Sequence, residues 1–242
     1  MEMIDIHTHV LPGIDDGAKN WDMCMQMLAK SAECGVRKII ATPHYLPWKK
    51  NAGGEKIQAL CQEVKEKFYK NLGISMDIYP GNEIYYHVDM LDSIKKGKAL
   101  TLAGSRYVLT EFSTEESSGV IQKAVQNLRE AGYIPVIAHV ERCRSLRKPD
   151  SLEKLQELGA LFQMNVEVLE LGLLSETGRW AKKMLQEERI HFLSSDMHNL
   201  EKRPPLSAER LQWTEKRLRQ DYIEALLWSN GNRIIDGNQI TV

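Results

Sequence analysis

The stretch VIQKAVQNLREAGYIPVIAH, residues 120–139, holds the unit from which the fold can be predicted. Its first half repeats apolar residues at helical spacing, Gly132 follows, and an apolar run then leads to His139. A glycine directly after a helix supplies the left-handed residue that ends it. A short apolar run bounded in this way is typical of a buried strand. The stretch therefore predicts a helix, a turn and a strand that ends in a potential metal ligand.

The same order recurs along the chain. Helical patterns stop at Gly35, Gly73 and Gly159, and an apolar run follows each of these glycines. Alternation of helix and strand predicts βα units and a parallel sheet, which right-handed crossovers close most naturally into a barrel. The class expected is α/β, a distorted seven-stranded barrel. The predicted strands are 3–7, 36–41, 75–80, 107–111, 134–138, 160–165 and 190–194.

Length and composition limit the classes of protein. The potential ligands are spread from His7 to His198 in a chain of 242 residues, so we predict one domain over 1–242. A net charge of −1 gives no reason to expect a nucleic-acid partner. No apolar run approaches the ~20 residues of a membrane span, and the first residues do not resemble a signal peptide. The four cysteines lack CxxC spacing, which predicts reduced thiols and a cytoplasmic location.

Histidine and acidic residues stand where the predicted strands end. In a parallel barrel those ends meet on one face, which is where active sites of barrel enzymes are built. Two of them, His7 and His9, are spaced to point to one side of a strand. His87 and His191 do not follow the pattern and are predicted to serve as rim or packing residues. The predicted metal ligands are His7, His9, Asp16, His44, Glu83, Glu111, His139, Asp196 and His198.

Nine ligands exceed what one ion takes, and bridging carboxylates would let them hold two or three ions. Imidazole and carboxylate without thiolate suit manganese, iron or zinc better than calcium or magnesium. Residue types alone do not choose among the three metals. Ions about 3.5–4 Å apart generate hydroxide at neutral pH and clamp the attacking and leaving oxygens of an in-line displacement. The predicted chemistry is therefore hydrolysis, with phosphate esters as the best fit.

Several segments resemble the polymerase-and-histidinol-phosphatase (PHP) family. The resemblance covers nearly the whole chain and is closest to the manganese-dependent bacterial protein-tyrosine phosphatases of capsular and exopolysaccharide operons. The segments that carry it are IDIHTH (4–9) with DDG (15–17), ATPH (41–44), PGNEIYY (80–86), LTEF (109–112), PVIAHVER (135–142) and SSDMHN (194–199) with RPP (203–205).

The resemblance implies a distorted seven-stranded barrel with three metals held by the nine residues above. It also implies that Arg142 and Arg203 hold the phosphate. The substrate it implies is the phosphotyrosine cluster on the C-terminal tail of a membrane tyrosine kinase that governs polysaccharide export. The loop after His44 contains LPWKK (46–50), which matches no pattern of the family.

The residues themselves agree with the role of the two arginines. Arg142 follows His139 by three positions and Arg203 follows His198 by five. A guanidinium binds phosphoryl oxygens bidentately and stabilises the charge that develops on them. The other route to tyrosine dephosphorylation uses a thiolate in a Cys-x5-Arg motif, and none of the four cysteines has an arginine at that spacing.

The sequence leaves three alternative functions open. A small-molecule phosphatase of the same superfamily, acting on a substrate such as histidinol phosphate, would use the same ligands. An amidohydrolase acting on C–N bonds would be expected to have a lysine at a strand end, and the sequence has none there. A binding module without catalysis would be favoured by a missing ligand, yet all nine are present.

Overall fold

The computed structural model describes residues 1–172 and 174–240. Helices and strands alternate through most of this part of the chain, as the sequence predicts. The strands are β1 (Met3–Thr8), β2 (Val36–Ala41), β3 (His44–Tyr45), β4 (Asp77–Pro80), β5 (Glu83–Tyr85), β6 (Tyr107–Glu111), β7 (Ile134–Ile137), β8 (Leu161–Asn165) and β9 (Phe192–Ser194). The helices are α1 (Trp21–Cys34), α2 (Gly54–Leu72), α3 (Met90–Lys95), α4 (Ser118–Glu130), α5 (Ser151–Glu157), α6 (Glu176–Gln186), α7 (Ala208–Arg217), α8 (Gln220–Glu224) and α9 (Asn230–Ile235).

Every strand pairing is parallel. The hydrogen-bonded order is β1-β2-β4 in one sheet and β3-β5-β6-β7-β8-β9 in the other. β1 meets the segment that follows β9 at a parallel bridge between Thr8 and Met197. Around that bridge, the Asp196 N–H donates to the His7 carbonyl and the His9 N–H donates to the Met197 carbonyl, both at 3.0 Å. The sheets thus curl into a distorted barrel, which confirms the predicted fold class.

Two short strands, β3 and β5, were not predicted. Each begins after a gap of two residues, behind β2 and β4 respectively. Pro43 has no N–H and so interrupts the ladder after β2. The side-chain amide of Asn82 donates to the Pro43 carbonyl at 2.7 Å and so ties the two gaps together. The count of seven strands was therefore too low, and the two extra strands place His44 opposite Glu83 in register.

The core lies between the barrel and its helices, with a second apolar cluster inside the barrel. Helix α2 buries Ile57, Cys61, Val64 and Phe68 at helical spacing. The four cysteines are free thiols. The barrel interior is filled by side chains from several strands, among them Ile4, Ile6, Ile40, Tyr107, Leu109, Val136, Leu161 and Phe192.

The C-terminal segment is more broken than its apolar pattern predicts. The sequence over 207–228 predicts one or two helices, whereas the structure has α7, α8, one turn of π-helix over Ala225–Ser229, and α9 beyond it. In the part of the chain that the structure describes, none of the helices has the length and apolar character needed to cross a membrane.

His191, which was predicted to be a packing residue, lies buried directly before β9. The ring Nδ1 of His191 accepts the backbone N–H of Phe162 at 3.1 Å, and the backbone N–H of His191 donates to the Phe162 carbonyl at 3.0 Å. Burial lowers the pKa of this imidazole to about 4. It is therefore neutral in the folded protein at physiological pH.

This pKa predicts an acid-dependent loss of stability. Below pH 6.5 the unfolded chain protonates His191, whereas the folded chain does so only near pH 4, so stability falls across that interval. Between pH 7 and pH 4.5 the loss is about 2 kcal/mol. Urea unfolding of EDTA-treated protein at both pH values would measure it. His191→Asn, which keeps an acceptor, is expected to lose about 2 kcal/mol less than the native chain, and an equal pH dependence would contradict the assignment.

Candidate metal centre

The nine predicted ligands come together at the carboxyl ends of the strands. His7 lies within β1, His44 and Glu83 begin β3 and β5, and Glu111 ends β6. The other five follow β1, β7 and β9 within their connecting loops, namely His9, Asp16, His139, Asp196 and His198. The parallel topology makes this convergence possible, since it puts every strand end on the same face of the barrel.

The exposed fraction of the side chains increases from the floor of the site to its opening. The side chains of His7, His9 and Glu83 are fully buried. Those of His44 and Glu111 are about one-fifth exposed, at 19% and 20%. Asp16, at 60% exposure, stands at the opening. Buried carboxylates are rare unless they are paired or coordinate a metal, and Glu83 lies here among buried imidazoles, which makes the floor of this site a strong candidate for cation binding.

The ligand atoms form three overlapping groups in which all atoms lie within 4.8 Å of one another. Two of the nine residues are shared between groups, His9 and His44. His139 joins the set through contacts of 2.7 Å with Glu83 and 3.5 Å with Glu111. The groups are His9, Asp16, His44 and His198; His7, His9 and Asp196; and His44, Glu83 and Glu111.

Glu83 lies at the centre of this arrangement. Its Oε2 is 3.4 Å from His7 Nε2, 3.3 Å from His9 Nε2 and 2.8 Å from His44 Nδ1. Its Oε1 is 2.7 Å from His139 Nε2. One carboxylate thus faces four imidazoles that come from three different strand ends. A carboxylate in this position is suited to bridge neighbouring ions.

The electrostatics of the cluster favour positive charge. Burial alone would raise the pKa of Glu83, but the surrounding imidazoles, His7 first, hold it well below its usual value. Burial and then the charge of Glu83 raise the pKa of Glu111 to about 7. Burial alone would lower the pKa of His44, but Asp16 and Glu83 outweigh it and raise the pKa to about 10. Protons on imidazoles and carboxylates here occupy positions that divalent ions could take.

The donor set fits a metal cluster. Glu83 Oε2 and His44 Nδ1 lie 2.8 Å apart but are not aligned for a hydrogen bond. Among the described residues, these two ligand atoms and His198 Nε2 are buried without a hydrogen-bond partner. Buried polar atoms without partners are costly, and they are uncommon in native proteins. All three belong to residues whose ligand atoms crowd together, and a coordinated cation would satisfy them. The mixture of imidazole nitrogens and carboxylate oxygens suits manganese, iron or zinc.

The backbone is strained at two of the ligands. His139 has φ +29° and Asp196 has φ +52°, conformations that residues with a Cβ rarely adopt. Strain of this kind costs about 1–3 kcal/mol per residue and persists where the surrounding structure imposes it. Here it turns each side chain back over the end of its strand and towards the cluster.

Sequence reasoning missed two amides that hold the ligands in place. Gln163 Oε1 lies 3.0 Å from His7 Nδ1 and accepts the His139 N–H at 2.7 Å. Gln163 also donates to Asn165, whose own amide donates to Asp196 at 2.9 Å. Both residues lie in β8, the one predicted strand without a ligand at its end. The sequence does carry a signal for them, since two amides alternate in an otherwise apolar strand. An amide does not belong to the imidazole and carboxylate pattern that predicts the ligands.

Two aspartates were also missed. Asp15 Oδ2 lies 2.7 Å from His9 Nδ1 and accepts the His44 N–H at 3.2 Å. Asp5 is fully buried and accepts hydrogen bonds from the backbone and hydroxyl of Ser195, next to Asp196. Partners of this kind fix the orientation of a ligating imidazole and raise its basicity. Asp15 is such a partner for His9, whereas Asp5 holds the backbone next to Asp196 through Ser195.

We expect loss of the Gln163 amide to weaken the site without removing a ligand. Substitution of Gln163 by Ala frees the His7 ring and the His139 backbone, and losses of such partners cost about 10- to 100-fold in metal affinity or activity. Titration of the metal-free variant with Mn²⁺, read out by turnover, would measure this. Gln126→Ala, at an exposed position of α4, is the control. Equal metal affinities in the two variants would contradict the supporting role.

The two predicted phosphate-binding arginines lie at the edge of the cluster. Arg142 donates to Asp196 Oδ2 at 2.9 Å and to Glu167 at 3.1 Å. Arg203 donates to Asp16 at 3.2 Å, and its second amino group is 4.0 Å from Asp196 Oδ2. Both guanidinium side chains are about one-third exposed. They meet the ligand set from the open side, where an anionic substrate would arrive.

Fold and site together define a class: α/β-barrel proteins with a candidate metal centre at the carboxyl ends of the strands. Within that class, residues 3–236 match the family described as capsular polysaccharide synthesis, CpsB/CapC. The chain belongs to this family.

Named relatives agree with the family. The chain is 33% identical over 239 residues to the tyrosine-protein phosphatase CpsB of Streptococcus pneumoniae, covering 96% of this chain and 98% of that one. It is 33% identical over 219 residues to the tyrosine-protein phosphatase YwqE of Bacillus subtilis strain 168, covering 88% and 84%. A crystal structure from the work on YwqE and CpsB, described as unique metal-dependent tyrosine phosphatases, matches with a TM-score of 0.89 at 28% identity, covering 99% of this chain and 96% of that one.

Proposed function

We propose that this chain is a metal-dependent protein-tyrosine phosphatase, a single catalytic domain over 1–242. The observation that carries the proposal is the meeting of nine imidazole and carboxylate side chains with two guanidinium groups at one opening of the barrel. Relatives over nearly the whole length of the chain are named tyrosine-protein phosphatases. The reaction is hydrolysis of a phosphate monoester.

The cofactor we propose is a cluster of two to three divalent ions, with manganese first and iron or zinc as alternatives. The residues that would hold them are His7, His9, Asp16, His44, Glu83, Glu111, His139, Asp196 and His198. Bound ions of this kind lower the pKa of water and neutralise charge on a phosphoryl group. Glu83 would offer both of its oxygens to the ions, because the two oxygens face different imidazoles.

Arg142 and Arg203 bind and orient the phosphate. Their ion pairs with Asp196 and Asp16 keep both guanidinium groups at the edge of the cluster. Each can donate two parallel hydrogen bonds to phosphoryl oxygens and stabilise the charge that grows on them during the reaction. A guanidinium is a poor acid. A phenolate leaves easily, so the reaction needs little help from a proton donor.

The substrate we propose is the phosphotyrosine tail of a membrane tyrosine kinase that controls polysaccharide export. The support is membership of a family described by capsular polysaccharide synthesis and relatives that are named for tyrosine phosphatase activity. Such a tail would be met in the cytoplasm, which agrees with the free thiols of the four cysteines.

The proposal is tested by hydrolysis of a phosphotyrosyl peptide and of histidinol phosphate by the purified chain. Activity is measured before and after EDTA and again after Mn²⁺ is restored, alongside elemental analysis of protein purified without chelator. We expect turnover of the peptide, its loss with EDTA and its return with metal. Turnover of histidinol phosphate alone would move the substrate to the small-molecule class, and activity that survives EDTA would remove the metal from the mechanism.

A further inference from the structure

Two aromatic rings, one exposed and one half-buried, pack together in the segments that follow His44 and Glu83. Trp48 is 61% exposed, and its indole meets the ring of Tyr85 edge to face, with centroids 4.8 Å apart. Trp48 belongs to the loop that follows His44, the segment that matched no pattern of the PHP family. Neither residue is a proposed metal ligand or a phosphate-binding arginine, so the proposed mechanism gives the two rings no role.

Strand register places Tyr85 over the cluster. Tyr85 follows Glu83 by two residues in β5, so the two side chains point to the same face of the strand. Two residues of strand carry Tyr85 about 7 Å further towards the opening than Glu83. Tyr85 also pairs in register with Glu111 of β6. Its ring therefore belongs to the wall through which a substrate reaches Glu83 and Glu111.

A clasp built on Asn51 fixes the loop that carries Trp48. The Asn51 side chain accepts the Leu46 N–H at 2.8 Å and donates to the Leu46 carbonyl at 2.8 Å. It also donates to the Lys49 carbonyl at 3.1 Å. One amide thus closes the turn from both sides and holds an exposed indole outward beside Tyr85. This turn holds the indole in water beside Tyr85, where it is free to contact a ligand.

We infer that Trp48 and Tyr85 form an aryl subsite that packs against the ring of the phosphorylated tyrosine. The inference rests on the proposed function and specifies how that site selects its substrate. The phosphate would lie with the ligands and arginines, and the aromatic ring would extend outward along Tyr85 to the indole. Edge-to-face and offset contacts between aromatic rings add about 0.5–1.5 kcal/mol beyond area burial. That corresponds to about threefold to tenfold in affinity.

The test compares two phosphonates that differ only in the group attached to phosphorus, phenylphosphonate and methylphosphonate. Their binding to the Mn²⁺-loaded protein is measured by calorimetry. Trp48→Ala is expected to weaken phenylphosphonate by about threefold to tenfold and to leave methylphosphonate within about twofold. Trp48→Phe restores most of the difference. Tyr69→Ala removes an aromatic ring of equal exposure, 61%, from α2 and is the matched control.

Kinetics provide a second measurement. Because the ring is bound equally in the ground state and the transition state, Trp48→Ala is expected to raise KM for a phosphotyrosyl peptide while kcat stays unchanged. Asn51→Ala releases the clasp and is expected to have a similar effect on KM. In the double variant the two changes are not additive, since both act through the position of one indole.

The outcomes separate this inference from the proposed function. If the protein does not hydrolyse phosphotyrosine but Trp48→Ala abolishes its preference for phenylphosphonate, the aryl subsite stands and the proposed substrate is wrong. An active phosphatase whose phenylphosphonate affinity is unchanged by Trp48→Ala overturns the subsite alone. Equal weakening of both phosphonates also overturns it, because it would show that the variant disturbs the phosphate position.

Discussion

Replacement of Glu83 by Gln is expected to lower phosphotyrosine turnover by about 10³-fold and to reduce the metal content of the purified protein. Glu83 is fully buried and faces His7, His9, His44 and His139 within 3.4 Å. The amide keeps its shape but removes the charge, and it offers one oxygen where the carboxylate offers two. Because a bound ion contributes several kcal/mol of charge stabilisation, loss of part of the cluster corresponds to roughly this factor.

The measurement combines elemental analysis by mass spectrometry with kcat on a phosphotyrosyl peptide. Glu115→Gln makes the same chemical change in an exposed glutamate of the loop after β6, at the same end of the barrel, and is expected to behave like the native chain. A thermal melt of the metal-free proteins shows whether both variants fold. Metal content and turnover of Glu83→Gln within about threefold of the native values would refute the central role of this carboxylate.

Much of the fold could be predicted because its signals are repetitive and local. Each long helix shows apolar residues at helical spacing and most end at a glycine in the left-handed conformation, as at Gly35 and Gly73. The strands that follow are apolar enough to be recognised without their partners. By contrast, β3 and β5 are two and three residues long and show no periodicity of their own. They exist because neighbouring strands supply hydrogen-bond partners, which is a tertiary effect.

In the candidate site, the metal ligands could be predicted, whereas the groups that orient them could not. Imidazoles and carboxylates at successive strand ends converge because parallel strands share one end, so the nine could be chosen before their distances were known. The hydrogen bonds that orient them could not be predicted, because Gln163 and His7 are separated by 156 residues. The different contacts of the adjacent Asp15 and Asp16 could not be predicted either. The structure places Asp15 against His9 Nδ1 and Asp16 against His44 and His198.

Arg203→Ala is expected to lower kcat by about 10²–10³-fold while the metal content stays at the native level. The guanidinium is 3.2 Å from Asp16 and about one-third exposed, so it stands beside the cluster and remains open to a ligand. Hydrogen bonds from a guanidinium to phosphoryl oxygens strengthen as negative charge develops in the transition state, so removal of the guanidinium lowers kcat by about this factor. Asp16 loses an ion-pair partner but keeps its contacts with His44 and His198.

Arg144→Ala is the matched control, since Arg144 is an exposed arginine at the same end of the barrel that pairs with Glu115. Arg203→Lys separates charge from geometry: a lysine keeps the charge but cannot form the bidentate contact, so a partial recovery is expected. The role of Arg203 is tested by single-turnover kinetics of native and variant protein on a phosphotyrosyl peptide. Metal content is measured in the same samples. A change in kcat below about threefold at full metal content would exclude Arg203 from the chemical step and leave Arg142 as the one guanidinium assigned to the phosphate.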